Sequence, residues 1–441
     1  PDPDAQPQQL VAQARDRVHE AGGFGAAAAR LSGAARRPGP HSPAGDVPLV
    51  SHRVLVDPRG RWLRGAVDAW SALETDAAEA NPFYGPALGA PALAALDRER
   101  RVDVVCVLGR RDDGREVLTG VFPLVHDRSL GRVPVRVASL WKHSQCALTT
   151  PLVRAADAAA TLDAFLDWFD SNPLHPELVR LPRTYASGPL RAALDTVLAR
   201  RDARSWRFDE FQRAEFVPAE SGTAYMKAQR GAKTLREIRR RMRRLGDLGS
   251  TGLDVLAPGA DAGAWLDEFL ALEDGGWKGG GGAGTSLRAA GEETFFRDAV
   301  TALHREGRAR LVALRVDGDA VAMYVCVLDP ECTSGWALKT AYDEAFAAYG
   351  PGMLMFSEES VALHDTRLRR VDSCAVPGHP LVEKVWGDRV AIADLVVARS
   401  DPAGRAALAV VRRARPALLE VKRRTVSAVR RAMDREDGVR C

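Results

Sequence analysis

The sequence predicts a mixed α/β protein that consists of two similar domains. Its 441 residues exceed the size at which one hydrophobic core usually keeps growing. A composition of 46% hydrophobic and 27% charged residues is that of a folded protein. Both halves show the same order of helix, three-strand meander, helix and strand, although no residue repeat aligns. We therefore expect two α+β domains with mixed, largely antiparallel sheets and helical extensions at both ends.

Changes in composition place the boundaries between four segments. Proline and glycine are concentrated near the start, which predicts an N-terminal extension and linker over residues 1–46. The first domain is predicted over residues 47–205 and the second, which carries the recognisable site, over residues 206–400. A basic helical tail is predicted over residues 401–441, interrupted at Pro416.

Hydrophobic alternation and turn residues predict the elements of the first domain in order. The run RRDDG at Arg110–Gly114 separates two β-rich stretches and is typical of a hairpin turn. The predicted elements are a strand at 53–56, a helix that contains Trp62 and Trp70, a second short helix that ends at Leu96, strands at 102–108, 117–125 and 133–140, a helix at 155–169, a strand at 178–181 and a helix at 189–200.

The second domain repeats this order. Asp261 precedes an apolar helical pattern and is a suitable N-cap. The predicted elements are a strand at 211–217, a long basic helix at 224–245, a strand at 253–256, helices at 261–272 and 292–306, meander strands at 309–316, 320–328 and 333–339, a helix at 351–364, and strands near 368–374 and 390–397.

Cysteine spacing and hydropathy exclude several classes of protein. The six cysteines show no CxxC spacing, so we expect neither a disulfide framework nor a structural zinc site, and no metal cofactor. No apolar run approaches the roughly 18 to 20 residues that span a bilayer. The first residues lack the features of a signal peptide. A cytoplasmic location is therefore expected.

Basic residues are clustered although the net charge is only +4. The predicted helix near 224–245 is densely basic and almost without aromatic residues, which disfavours stacking on single-stranded nucleic acid. Such a helix suits polyanions: cofactor phosphates, an RNA backbone or anionic lipid. Together with the basic tail it predicts peripheral membrane contact as a secondary property. Its basic residues are Lys227, Arg230, Lys233, Arg236, Arg239, Arg240, Arg241, Arg243 and Arg244.

Rare polar, aromatic and glycine residues form clusters between Glu273 and Arg389, and packing alone does not require them. One cluster, Gly350–Gly352 (GPG), leads from a predicted strand into a helix. Free backbone N–H groups and the positive helix end make such a turn suitable for phosphate or another anion. A plain tight turn with Pro351 at the first helical position is the alternative.

Taken together, the clusters resemble the CelD-type acetyltransferase family, a branch of the GNAT acyltransferases related to the Fem peptidyltransferases. The similarity covers about residues 47–398. The GNAT turn usually begins with Arg or Gln, and this chain has Ala347 in that place. The segments that carry the resemblance are Asn81–Tyr84 (NPFY), Trp141 with Thr150–Val153 (TPLV), Gly276–Gly279 (GWKG), Ala341–Phe346 (AYDEAF), Gly350–Gly352 and Asp372–Pro380 (DSCAVPGHP).

The resemblance implies two GNAT-like halves and a donor, acetyl-CoA or another acyl-CoA, that lies over Gly350, Gly352 and Met353. It also implies that the segment from Lys339 to Glu344 faces the cleft where thioester and amine meet. Amine attack on a thioester needs removal of a proton and stabilisation of an oxyanion. We assign these roles to Tyr342, Asp343 and His379, with Asp343 favoured over Glu344. An Asx-type turn with solvated carboxylates is the alternative for this segment.

Further residues are predicted to contact the substrate. Glu273, Trp277 and Lys278 precede a glycine-rich loop and could form a lid, although Trp277 could equally anchor the loop. Lys339, Glu344 and Asp372 complete the predicted substrate contacts. A thiol nucleophile at Cys374 beside His379 is disfavoured, because a CoA-dependent transfer needs no covalent cysteine.

The sequence thus predicts an N-acyltransferase that moves an acetyl or longer acyl group from acyl-CoA to an amine of a small molecule or glycan precursor. A Fem-like transferase that uses aminoacyl-tRNA is the first alternative, because tandem halves, an altered turn and a long basic helix all suit it. A GNAT-fold scaffold without catalysis is the second.

Overall fold

The computed structural model describes residues 49–98, 102–229, 231–276, 278–279 and 284–417. The predictions for the N-terminal extension, for the end of the basic tail and for Trp277 lie outside these residues. Residues 402–417 are helical. No helix within the described ranges is long and apolar enough to cross a membrane.

The first half follows the predicted order of elements. Asn81, for example, caps the short 3-10 turn Pro82–Tyr84 by accepting a hydrogen bond from the N–H of Phe83. The strands are β1 (Leu49–Pro58), β2 (Asp103–Arg111), β3 (Glu116–Leu130), β4 (Val133–Leu140), β5 (Leu152–Val153) and β6 (Leu178–Tyr185). The helices are α1 (Arg61–Gly65), α2 (Val67–Thr75), α3 (Pro86–Ala95), α4 (Ala158–Asp170) and α5 (Pro189–Arg200).

Between Ser205 and Ala398, the described residues of the second half form seven strands and five α-helices. The strands are β7 (Ser205–Phe216), β8 (Thr251–Val255), β9 (Ala309–Val316), β10 (Asp319–Leu328), β11 (Ser334–Tyr342), β12 (Arg370–Asp372) and β13 (Asp388–Ala398). The helices are α6 (Gly222–Gln229), α7 (Ala232–Gly246), α8 (Gly263–Gly275), α9 (Glu293–Arg305) and α10 (Pro351–Ala362).

The prediction of one long basic helix over 224–245 is wrong in one respect. The structure has two helices in this range, α6 and α7. Gly231 lies between them with an extended backbone and serves as the N-cap of α7. Glycine has a low helix propensity, so a break at this position is physically reasonable. The prediction of Asp261 as the N-cap of the next helix is wrong by one residue, because α8 begins at Gly263 and its N-cap is Ala262. The carboxylate of Asp261 accepts a hydrogen bond from the N–H of Gly263 at 2.9 Å.

The thirteen strands of the described residues form one sheet. The order of the strands is β1-β2-β3-β4-β6-β13-β7-β12-β11-β10-β9-β8, with β5 paired to β3. Only β4–β6 and β11–β12 pair in parallel, so the predicted mixed and largely antiparallel arrangement is confirmed. Strand β13 lies between β6 and β7. The domain boundary that we predict between residues 205 and 206 stays a prediction.

Hydrophobic packing also joins the two halves. One cluster of buried side chains contains Leu88 and Trp141 from the first half together with Phe295 and Phe296 from α9. A second cluster lies on the other side of the sheet in the second half, where α10 packs through Leu354 on the meander strands. The edge of this second cluster is where β11 ends and α10 begins.

Candidate functional site

A cleft opens where β11 separates from its parallel neighbour β12. The two strands pair only over Ser334–Trp336 and Arg370–Asp372. A register shift in β11 between Ala337 and Lys339 bends the strand just beyond that point. On this side of β11, no described strand pairs with the stretch from Lys339 to Tyr342, so its backbone groups border the cleft.

The cleft is a cavity of about 340 Å3. Its walls come from α7, the end of α8, the unpaired edge of β11, the start of α10 and the loop before β13. The lining residues are Arg241, Leu272, Glu273, Gly276, Lys278, Thr340, Ala341, Tyr342, Ala347, Gly350, Pro351, Gly352, Met353, His379, Pro380, Leu381 and Lys384.

The two glycines of the turn before α10 lie close to neighbouring side chains, and the backbone of Gly350 favours glycine. Gly350 has φ of 67°, in the left-handed region that favours glycine. A Cβ atom built on it would lie 2.8 Å from Nη1 of Arg241. A Cβ atom on Gly352 would lie 2.5 Å from Cδ1 of Leu381. Both positions therefore bring the backbone close to neighbouring side chains that border the cavity.

The start of α10 offers hydrogen-bond donors to the cavity. The N–H of Leu354 already donates to the carbonyl of Gly350 at 3.1 Å. Gly352 and Met353 precede it in the first turn, where N–H groups have no partner within the helix. Because the helix dipole also makes this end positive, the turn is suited to an anion.

Charged groups line the opposite side of the cavity. Glu273 is buried, and its Oε2 accepts a hydrogen bond from the N–H of Leu287 at 2.8 Å while its Oε1 lies 3.1 Å from Nζ of Lys339. Nζ of Lys278 donates to the carbonyl of Thr340 at 3.2 Å. Burial and the charge of Lys339 lower the pKa of Lys278, and the carboxylate of Glu273 opposes them.

His379 completes this side of the cavity. Burial and the positive charge of Lys278 lower the pKa of its ring, which favours the neutral imidazole. Nδ1 accepts a hydrogen bond from the N–H of Leu381 at 3.4 Å. This contact assigns the proton of the neutral ring to Nε2, which makes the ring a hydrogen-bond donor.

The structure brings most of the predicted site residues together. The predicted residues that line the cavity are Glu273, Lys278, Tyr342, Gly350, Gly352, Met353 and His379. Lys339 adjoins them through its ion pair with Glu273. Glu344 is exposed at the rim, where its Oε1 would lie 3.6 Å from a Cβ atom on Gly276.

Two predicted residues lie away from the cavity wall. The carboxylate of Asp343 accepts a hydrogen bond from the N–H of Ala345 at 2.9 Å and so caps the 3-10 turn Glu344–Tyr349. Asp372 is fully buried, and its Oδ2 lies 2.6 Å from Nη2 of Arg213 and accepts a hydrogen bond from the hydroxyl of Tyr185 at 3.1 Å. Both carboxylates thus hold the backbone and the sheet together.

The disfavoured thiol nucleophile finds no support in this geometry. Burial raises the pKa of the Cys374 thiol, and the neighbouring carboxylate of Asp372 raises it further. A thiolate is the nucleophilic form of cysteine, so these surroundings suppress reactivity. Within the described residues, no group of three or more His, Cys, Asp and Glu side chains could hold a metal ion.

Sequence reasoning missed two cations of the cavity wall. Arg241 is one of many basic residues in a helix, and its charge alone does not distinguish it from its neighbours. Lys384 follows the last recognisable cluster. The available signal for Arg241 was Glu237 four residues earlier, whose Oε1 accepts a hydrogen bond from Nε of Arg241 at 2.6 Å.

Residues 232–378 match the family model of the acetyltransferase (GNAT) domain. The matched segment, one third of the chain, is therefore similar to a GNAT domain. This match spans α7 to the loop after β12 and includes most of the cavity lining. The predicted GNAT-like fold of mixed sheet and helices is confirmed. The curated proteins contain no significant match.

Several solved structures resemble about three quarters of the chain or slightly more, all of them weakly. FemX shares 10% identity with a TM-score of 0.48, covering 74% of this chain and 95% of its own. The C-terminal domain of a putative lysylphosphatidylglycerol synthetase from Agrobacterium fabrum shares 12% identity with a TM-score of 0.45. This match covers 79% of the present chain and 96% of that domain. A tandem GNAT protein from the clavulanic acid biosynthesis pathway shares 14% identity with a TM-score of 0.36. This match covers 80% of the present chain and 99% of that protein. These values are too low to bear on substrate.

Proposed function

We propose that this protein is an N-acyltransferase that moves an acetyl or longer acyl group from acyl-CoA to a primary amine of a small molecule or glycan precursor. The observation that carries the proposal is one cavity in which the glycine turn of a GNAT domain faces a lysine of lowered pKa. The turn suits the donor's phosphates, and the lysine suits proton removal from the acceptor.

The donor would extend from the turn along β11. Its pyrophosphate fits the N–H groups of Gly352 and Met353 at the positive end of α10. The amide groups of its pantetheine arm can pair with the free edge of β11, as an added strand does. The carbonyl of Thr340, which now accepts from Lys278, belongs to that edge.

Three side chains of the cavity can divide the chemistry among them. The acceptor nitrogen attacks the thioester carbonyl carbon, a C–N bond forms, and the C–S bond breaks. Lys278 takes the proton from the nitrogen, because its lowered pKa increases the fraction of neutral amine. Nε2–H of His379 stabilises the oxyanion. The hydroxyl of Tyr342 donates a proton to the leaving thiolate and regains one from the ammonium of Lys278, which yields the amide, free CoA and both side chains in their starting forms.

The test is CoA release from acetyl-CoA and longer acyl-CoAs in the presence of a set of primary amines, followed with a thiol reagent. We expect Lys278→Met to lower kcat by about 10²- to 10⁴-fold, the range that a positioned acid or base usually contributes. The matched control is Lys227→Met, a lysine on α6 that does not line the cavity. Full activity in Lys278→Met would overturn the assigned base.

A Fem-like transfer from aminoacyl-tRNA is a second candidate, which the exposed arginines of α7 beside the cavity support. Arg236, Arg239, Arg240 and Arg243 are exposed on this helix, and such a surface suits an RNA backbone. A filter-binding measurement with charged tRNA tests it. Stabilisation by CoA without tRNA affinity would eliminate this candidate, and the reverse result would favour it.

A further inference from the structure

The turn that faces the donor supplies no side-chain cation of its own. The segment from Glu344 to Met353 contains neither lysine nor arginine. Backbone N–H groups can bind a pyrophosphate, but they carry only partial charge. A pyrophosphate at this turn would therefore need a cation from another part of the fold.

Arg241 of α7 occupies that position. A Cβ atom built on Gly350 would lie only 2.8 Å from Nη1 of Arg241, so the guanidinium is in close contact with the turn. It lines the same cavity as Gly352 and Met353. A guanidinium beside helix N–H groups can bind phosphate oxygens through two parallel hydrogen bonds.

Neighbouring side chains hold this guanidinium in place. Nε of Arg241 donates to Oε1 of Glu237 at 2.6 Å. The guanidinium of Arg240, together with that of Arg241, lowers the pKa of Glu237 to about 2, so the carboxylate stays charged. Since two arginines share one carboxylate, a net positive charge remains at the turn. Arg244 lies over the ring of Tyr349, 5.4 Å from its centroid, and ties α7 to the same turn.

We infer that Arg241 binds the pyrophosphate of the acyl-CoA donor and supplies, from α7, the charge that the turn lacks. This inference rests on the proposed function. It also gives one arginine of the basic helix a role different from that of its neighbours, because Arg240 is exposed and does not line the cavity.

Three ligands separate the phosphate groups of the donor. CoA carries a pyrophosphate and a 3′-phosphate, dephospho-CoA keeps the pyrophosphate alone, and pantetheine has neither. We expect Arg241→Gln to raise the Kd for CoA and for dephospho-CoA by the same factor, about 10- to 100-fold, because a charge-assisted contact is lost. The Kd for pantetheine should not change. Calorimetric titration of the full chain measures all three.

Two further variants sharpen this test. Arg240→Gln removes a charge from the same helix and the same partner, Glu237, and should leave all three affinities unchanged. Ala347→Arg in the Arg241→Gln background returns a cation to the cavity wall, since Ala347 also lines it, and should recover part of the lost affinity.

Three other outcomes would overturn either the inference on Arg241 or the proposed function. Equal effects of Arg241→Gln and Arg240→Gln would mean that only the general charge of α7 matters, which overturns the inference. Loss of affinity for CoA but not for dephospho-CoA would place Arg241 at the 3′-phosphate and also overturn it. If the wild-type protein bound none of the three ligands, the proposed function itself would fail together with the inference.

Discussion

Oε1 of Glu273 lies 3.1 Å from Nζ of Lys339, and this ion pair borders the amine of Lys278 in the cavity. Glu273 is buried at the end of α8, and Lys339 belongs to the bent part of β11. The pair thus joins a helix to the strand edge that borders the cavity. It also adjusts the charge that Lys278 experiences, because the two partners act on it in opposite directions.

Glu273→Gln should therefore shift the pH dependence of the reaction. A base must be neutral, so kcat/KM should rise with pH through the pKa of Lys278. The carboxylate of Glu273 raises that pKa, and its removal lowers it further. The rising limb should move to lower pH in Glu273→Gln, which keeps an oxygen for the N–H of Leu287. A pH–rate profile measures the shift.

The partner variant supplies the control with the opposite sign. Lys339 lowers the pKa of Lys278, so Lys339→Met should move the rising limb to higher pH. Shifts in the same direction for both variants would show that the limb does not report Lys278.

The turn glycines should tolerate alanine poorly. Gly352→Ala would place a methyl group 2.5 Å from Cδ1 of Leu381, so this side chain, which lines the cavity, would have to shift. Because the added methyl group and the displaced side chain both lie at the proposed donor turn, we expect CoA affinity to fall about 5- to 100-fold, which corresponds to about 1–3 kcal/mol. Gly252→Ala on β8 meets no atom within 4 Å and serves as the control. Unchanged CoA affinity in Gly352→Ala would contradict the donor site.

Two substitutions distinguish a capping role of Asp343 from a catalytic one. The structure shows its carboxylate on the N–H of Ala345, a contact that asparagine can also make. We expect Asp343→Asn to keep near-normal kcat and Asp343→Ala to lose about 1 kcal/mol of stability. Thermal unfolding and initial rates measure both. A large loss of kcat in Asp343→Asn at unchanged stability would support a role of the Asp343 carboxylate as catalytic base.

The sequence predicted the fold more completely than the site, and for physical reasons. Helices such as α5 and α9 follow from local periodicity, and the turn at Gly350 follows from glycine next to proline. Pairing between distant strands leaves no local signal, so the position of β13 between β6 and β7 could not be read. Asp372 stands in a recognisable cluster, yet its partner Arg213 lies 159 residues away.

That distant pair gives the last prediction. Arg213 and Asp372 are almost fully buried, and their contact joins β7 to β12 at the centre of the sheet. Removal of one partner leaves a buried charge without compensation, which usually costs about 3–5 kcal/mol. We expect Asp372→Asn and Arg213→Met to lower the free energy of unfolding by that amount in urea titrations.

The exposed pair Arg53–Glu116 provides the matched comparison, because both side chains are about half accessible to solvent. Arg53→Met should cost less than about 1 kcal/mol. A stable Asp372→Asn protein with a raised KM for the acceptor would instead make Asp372 a substrate contact. The geometry argues against that result, since Asp372 has no exposed surface and already holds Arg213, Tyr185 and the N–H of Cys374.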